Sequence, residues 1–236
     1  MNATYLLPRA AAVLLSGASL ISVVRAADVT GYAVLTTDYV FRGVSYSDGH
    51  SALQAGADIV LDSGMYLGAW ASSVDISGGA GQQRDLQLNY YLGYSHDLPG
   101  AWSIGANVVS YTFPGTKGDF DYDFFEYSIV ANYDDRAWFE YSYSPNLFHS
   151  GADTHNIDLY AEWALPAQLM LGAGAGYYDV SELSGSAYAY WQAGITRPFG
   201  KIDLDLRYHD TSRAVPIIST AERAQARIAL SAKFQF

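Results

Sequence analysis

Charged side chains recur at alternate positions within otherwise apolar segments of this sequence. They are Asp38 and Arg42, Asp58, Asp85, Glu126, Glu140, Asp158, Glu162, Asp205, Arg207, Arg223 and Arg227. A strand presents every second side chain on one face, so this spacing puts ionisable groups in a row with an apolar row behind them. Such a row suits a wetted passage, where fixed charges attract, repel and orient ions and polar solutes. These twelve residues are the pore-lining candidates. Their signs are unevenly spread. Arg42, Arg207, Arg223 and Arg227 fall on the first and the last two segments, while acids predominate from the second to the eighth. If the sheet closes on itself, a basic wall faces an acidic one. The competing expectation is that these charges pair locally and fill a narrow lumen.

Other chemistry is weakly supported. Ser144, His149 and Asp153 are a nucleophile, a base and an acid, but the last two fall in a loop where nothing fixes their geometry. His149, His155 and Asp153 share that region as sparse metal ligands. We assign no catalytic residue, metal or cofactor from the sequence, and expect no enzyme. The Gly172-Ala173-Gly174-Ala175-Gly176 run is not a nucleotide loop, since no helix follows to present its N-terminus to a phosphate. It leaves one strand face bare, to meet a plug or substrate or to relieve curvature.

The elements that position these residues read as strands throughout. Leu86, Leu88, Tyr90, Leu92 and Tyr94 alternate with Asp85, Gln87, Asn89, Tyr91 and Gly93, and the last segment alternates up to Phe236. Twelve such segments are expected, near 30–43, 51–62, 65–74, 84–96, 101–113, 122–133, 136–144, 155–165, 168–178, 187–197, 201–211 and 223–236. Each is roughly the 9–11 residues a tilted strand needs to cross a bilayer. Short turns alternate with longer loops, as in outer-membrane barrels. Only the tight connection around Tyr46 to His50 departs from that rhythm. A β-sandwich would also alternate, but with shorter strands. The expected fold is therefore all-β, a transmembrane antiparallel up-and-down β-barrel of about twelve strands. Met65-Tyr66, Trp102, Trp138, Phe139, Trp163 and Tyr177-Tyr178 lie near strand ends, as an aromatic girdle would.

Residues 1–26 read as a cleaved signal peptide ahead of a barrel over 27–236, with an apolar run from Ala10 to Val24 and a small-residue site at Val24-Arg25-Ala26. Loss of Arg9 and Arg25 would deepen the acidic excess of the chain to about −13, which argues against a nucleic-acid partner. There is no Cys, so neither disulfide nor thiolate holds the fold. The expected location is the outer membrane of a Gram-negative bacterium. Its expected partners are outer-membrane lipid and lipopolysaccharide, with Asp119, Asp121, Asp123 and Asp153 facing divalent cations there, and the barrel assembly machinery, which would read the terminal strand ending at Phe236.

Several stretches resemble the TorF-type porin family. They are Tyr39-Val40-Phe41-Arg42-Gly43-Val44-Ser45, Ala52-Leu53-Gln54-Ala55-Gly56, Ser63-Gly64-Met65-Tyr66-Leu67-Gly68-Ala69-Trp70-Ala71-Ser72, Tyr111-Thr112-Phe113-Pro114-Gly115 and Glu126-Tyr127. The likeness is dense from about 31 to 130. It implies a pore and carries no catalytic or ligand residues with it. The expected function is passive diffusion of small polar solutes or ions. The alternatives are a plugged or narrow barrel acting as an outer-membrane lipid hydrolase, or a loop-based binding or structural protein.

Overall fold

The computed structural model describes residues 27–77, 83–116 and 121–236. The expected signal peptide and the loop residue Asp119 lie outside them. Twelve strands close into an antiparallel barrel, in ring order β1 (Ala27–Thr36), β4 (Ala52–Leu61), β5 (Met65–Ser77), β6 (Gln83–Asp97), β7 (Trp102–Thr112), β8 (Phe124–Tyr133), β9 (Ala137–Ser144), β10 (Thr154–Leu165), β11 (Leu169–Asp179), β12 (Ala187–Phe199), β13 (Ile202–Thr211) and β14 (Arg227–Gln235). Two further strands, β2 (Val40–Phe41) and β3 (Val44–Ser45), form a separate small hairpin.

Closure joins β14 to β1, from Tyr32 opposite Gln235 to Thr36 opposite Ser231. The backbone of Phe236 exchanges two more hydrogen bonds with Gly31, at 2.9 and 3.1 Å. A closed ring pairs every strand on both sides, the condition for a sheet to exist in hydrocarbon, where an unpaired backbone group costs several kcal/mol.

Alternation sorts the side chains as the sequence implies. Leu53, Ile59, Leu67, Leu92, Ile104, Ile129, Leu159, Leu206 and Leu230 are exposed on the outer face, whereas Gln54, Asp58, Ser72, Asn89, Asn107, Ser128, Asn156 and Asp205 are buried inside. The barrel is thus apolar outside and polar within. The aromatic residues near strand ends divide between the faces. Met65, Trp102, Phe139, Trp163 and Tyr177 point outward, but their companions Tyr66, Trp138 and Tyr178 are buried in the lumen. Trp191 is exposed and Trp70 is buried.

Inward tyrosines need neighbours without side chains. A Cβ at Gly68 would meet the Tyr91 ring of the next strand at 2.5 Å. The bare stripe on β11 is covered in the same way, Gly172 and Gly174 by Tyr160 of β10 and Gly176 by Tyr190 of β12. The glycines let rings lie flat along the wall.

The first expected segment, 30–43, is the one that differs most. β1 ends at Thr36, and residues 38–47 turn into the lumen, while residues 48–51 are exposed. The last strand also starts later than expected, at Arg227 rather than near 223.

Candidate functional site

The inward segment is built around Asp38. Its carboxylate accepts hydrogen bonds from Ser45 Oγ at 2.6 Å, Ser47 Oγ at 2.9 Å and Arg227 Nη1 at 2.5 Å. Tyr39 N donates to Ser47 Oγ at 2.8 Å, and Tyr46 N to Tyr39 O at 2.7 Å, which closes the base of the hairpin. Phe41 and Val44 then flank a two-residue turn, Arg42-Gly43, with φ of 48° and 76°. Two left-handed residues suit the twist of a tight hairpin. Glycine adopts that region freely, but an arginine there is strained.

What holds Arg42 in place is its side chain. Nη1 and Nη2 donate to the two carboxylate oxygens of Glu126 at 2.9 and 2.8 Å, a bidentate pair whose side chains are 7% and 2% exposed. Glu126 lies on β8, on the far side of the ring from β1. The guanidinium also lies over the Tyr178 ring of β11, 4.6 Å from its centroid. Burial alone would lower the Arg42 pKa, but Glu126 together with Tyr178 and Tyr190 more than offsets it, and the pKa stands well above the ordinary arginine value. The hairpin is therefore fastened to both walls, through Asp38–Arg227 beside its own strand and through Arg42–Glu126 across the lumen.

Aromatic rings fill the space around it. Tyr39 packs edge-on to Trp70 at 5.4 Å and to Tyr46 at 5.5 Å, and Tyr111 stacks on Phe124 at 4.4 Å. Leu147 and Phe148 from the β9–β10 connection and Val215 from the β13–β14 connection are buried in the same cluster. The long-loop half of the lumen is occupied by side chains that the loops bring in, packed against strand-borne rings such as Trp70, Tyr111 and Phe124.

The other pore-lining candidates are distributed as follows. Asp58 is buried on β4 and accepts from the Tyr91 hydroxyl. Glu140 and Asp158 face each other across β9 and β10, Asp158 accepting from Tyr190 at 2.6 Å and Asn156 at 2.5 Å. Glu162 is buried two inward positions further along β10, past Tyr160. Asp205 and Arg207 pair at 2.9 Å on β13, and Thr196 donates to Asp205 at 2.7 Å. Arg223 precedes β14, pairing with Asp48 at 3.2 Å and donating to the Asp75 carbonyl at 2.8 Å. The four arginines expected to form a basic wall thus each meet an acid. Arg42 sits on the hairpin tip rather than on a barrel strand.

Asp85 is exposed, and its neighbour Arg84 is buried instead. The pairing of β5 with β6 shifts between Ser73 opposite Leu86 and Ile76 opposite Arg84, so β5 carries an extra residue there. Alternation counted outward from Gln87 and Asn89 places Asp85 inside, and nothing in the sequence marks the shift. Arg84 was therefore missed.

The Ser144, His149 and Asp153 group does not assemble. Among the described residues Ser144 Oγ is buried with no hydrogen-bond partner, while His149 lies half-exposed against Asp121 at 3.1 Å and Asp153 is 3.8 Å from His155. Among the described residues no group of three ligand-type side chains is placed to hold a metal ion.

Comparison with known proteins returns the same architecture. A family model described as a bacterial protein of unknown function (Gcw_chp) matches residues 24–235. No curated protein matches the chain. Among solved structures, the NanC porin aligns with a TM-score of 0.55 at 9% identity, covering 89% of this chain and 99% of that one. The KdgM porin aligns at 0.54 and 8% identity, covering 88% and 99%. A second KdgM structure, in complex with disordered oligogalacturonate, aligns at 0.53 and 7%, covering 88% and 98%. At such identities the likeness establishes the fold. It supports a porin-like barrel and does not single out the TorF type.

Proposed function

Starting from the Gcw_chp family of bacterial proteins of unknown function, to which this chain belongs, we propose that it is a porin-like channel of the Gram-negative outer membrane. It passes small polar solutes or ions by diffusion and is shut in the conformation described here. The observation that carries this reading is the contrast between wall and obstruction. The wall is a closed twelve-stranded ring with a polar inner face, and the hairpin that blocks its long-loop half is not part of the wall. A segment joined to its surroundings by the ion pairs of Asp38, Arg42 and Asp48, by the backbone hydrogen bonds Asp75 N to Tyr46 O and Ser45 N to Arg223 O, and by ring contacts can leave without breaking a strand ladder. No energy source or cofactor is needed for solute to follow.

A second reading is favoured by the same ion pair. Arg42–Glu126 is bidentate and almost fully buried, so the hairpin could be a permanent brace in a barrel that conducts nothing.

Single-channel recording of the refolded protein in a planar bilayer decides between them. Discrete current steps with ion preference are the expected result. A folded, heat-modifiable barrel that stays electrically silent under all voltages and salts would leave the brace reading standing.

A further inference from the structure

The two sides of the Arg42 clasp belong to different parts of the molecule. Arg42 is carried by the hairpin, whereas the groups that receive it are carried by barrel strands. Glu126 of β8 takes the guanidinium with both carboxylate oxygens, at 2.8 and 2.9 Å. The Tyr178 ring of β11 stands 4.6 Å from the guanidinium carbon. On the two strands between them, Glu140 of β9 and Asp158 of β10 lie opposite each other, and Arg42 acts electrostatically on both. Neutral groups donate to these acids, Ser142 to Glu140 at 3.3 Å, and Tyr190 and Asn156 to Asp158 at 2.6 and 2.5 Å.

A two-pronged carboxylate, a ring face beside it and further carboxylates nearby match the plane, the fork and the charge of a guanidinium. The occupant now seated there is tethered, and holding it keeps a non-glycine residue at a φ of 48°. When the hairpin leaves, the seat stays with the wall, and the volume of the Arg42 side chain becomes the room for another group. We propose that this seat binds small solutes bearing a guanidinium group, and that Arg42 is a built-in competitor which such solutes displace. The fork of the solute takes the Glu126 oxygens and its plane lies on Tyr178, while Glu140 and Asp158 disfavour anions. Binding goes beyond the channel reading. Only the consequence that the same solute frees the lumen of its hairpin rests on that reading.

Arg42→Gly empties the seat, and glycine adopts the left-handed turn freely. Isothermal titration of butylguanidinium into this variant in uncharged detergent micelles tests the assignment, with butylurea as the planar, uncharged comparison. Saturable binding is expected, with butylurea at least about tenfold weaker because no charge-assisted pair forms. The parent should bind butylguanidinium at least about tenfold more weakly than Arg42→Gly, since a tethered competitor must first be displaced. Adding Glu126→Gln to Arg42→Gly should lower the affinity about tenfold or more, and adding Arg197→Gln, at an exposed position, should leave it unchanged. Arg42→Asn, which also tolerates a left-handed backbone and has a shorter side chain, provides a second emptied seat. Heat-modifiability on electrophoresis verifies that each variant is folded. The proposal is overturned if the folded emptied seats show no saturable binding, if the urea binds as well, if parent and Arg42→Gly bind alike, or if Glu126→Gln makes no difference. A silent bilayer recording alongside saturable binding would remove the channel reading and leave this site intact.

Discussion

The two halves of the lumen are filled by different means. In the short-turn half the contents belong to the wall itself. Tyr66, Tyr91, Trp138 and Tyr160 project from strands, with Asp58, Glu162, Asp203 and Asp205 between them. Removing them means rebuilding the barrel. In the long-loop half much of the filling arrives on connections, the hairpin of residues 40–45 and the segments carrying Phe148 and Val215, which pack on strand-borne rings such as Trp70 and Tyr111. Obstruction on a connection can move as a unit, whereas obstruction on a ladder cannot. The difference teaches where a barrel of this width can be regulated, and four changes test it.

The largest effect should come from removing the hairpin. Replacing residues 39–46 with a short glycine linker spans the gap that the Tyr46 N to Tyr39 O bond already closes at 2.7 Å. Single-channel conductance should rise severalfold over the parent while the barrel remains heat-modifiable. Unchanged conductance would move the limiting constriction into the short-turn half and reverse the comparison.

Next is the clasp across the lumen. Glu126→Ala leaves Arg42 charged and buried, which typically costs about 3–5 kcal/mol. Urea unfolding in micelles, followed through the summed fluorescence of the five tryptophans, should show the loss. The double change Glu126→Leu with Arg42→Met should recover most of it, since an apolar pair of similar volume replaces a buried ion pair at little cost. If the double variant is as unstable as the single one, the hairpin is held by something other than this pair.

In the short-turn half the sensitive positions are glycines beneath rings. Gly68→Val drives a branched side chain into the Tyr91 ring, where even a Cβ would stand at 2.5 Å. Overpacking of this kind costs about 1–3 kcal/mol. It should lower the unfolding midpoint without altering conductance steps, because the hairpin is untouched. A change in conductance with unchanged stability would mean that the ring shifts into the passage instead of straining the wall.

Much of this architecture is legible in the sequence, for a definite reason. Period-two alternation over a lipid-facing strand is enforced at every residue, so the twelve segments and their turns can be counted from Leu86 to Tyr94 or from Ile202 to Tyr208 alike. The site is legible only in part. Glu126 and Arg42 carry charge at alternating positions, but their meeting depends on a turn that sends Arg42 across the ring. The tight Arg42-Gly43 pair between Val40-Phe41 and Val44 is a local signal of that turn. The shift that exchanges Asp85 for Arg84 has no such signal. One extra residue in β5 reverses the phase beyond it, and composition is blind to it.

The smallest effect is expected where the sequence offers a nucleophile and the fold withholds its partners. Ser144 is fully buried, its hydroxyl meets no acceptor or donor among the described residues, and His149 is turned to Asp121. A buried hydroxyl without a partner carries a desolvation cost with no hydrogen bond to offset it. Ser144→Ala removes that cost and leaves a cavity smaller than a methyl group, so stability should change by less than about 1 kcal/mol, in either direction. Any hydrolysis of short-chain esters by the purified protein should be the same in parent and variant. A loss of ester hydrolysis in folded Ser144→Ala would mean that the β9–β10 connection rearranges to bring His149 to the serine. Loop-borne contents would then move in more than one place, and the contrast between the two halves of the lumen would widen.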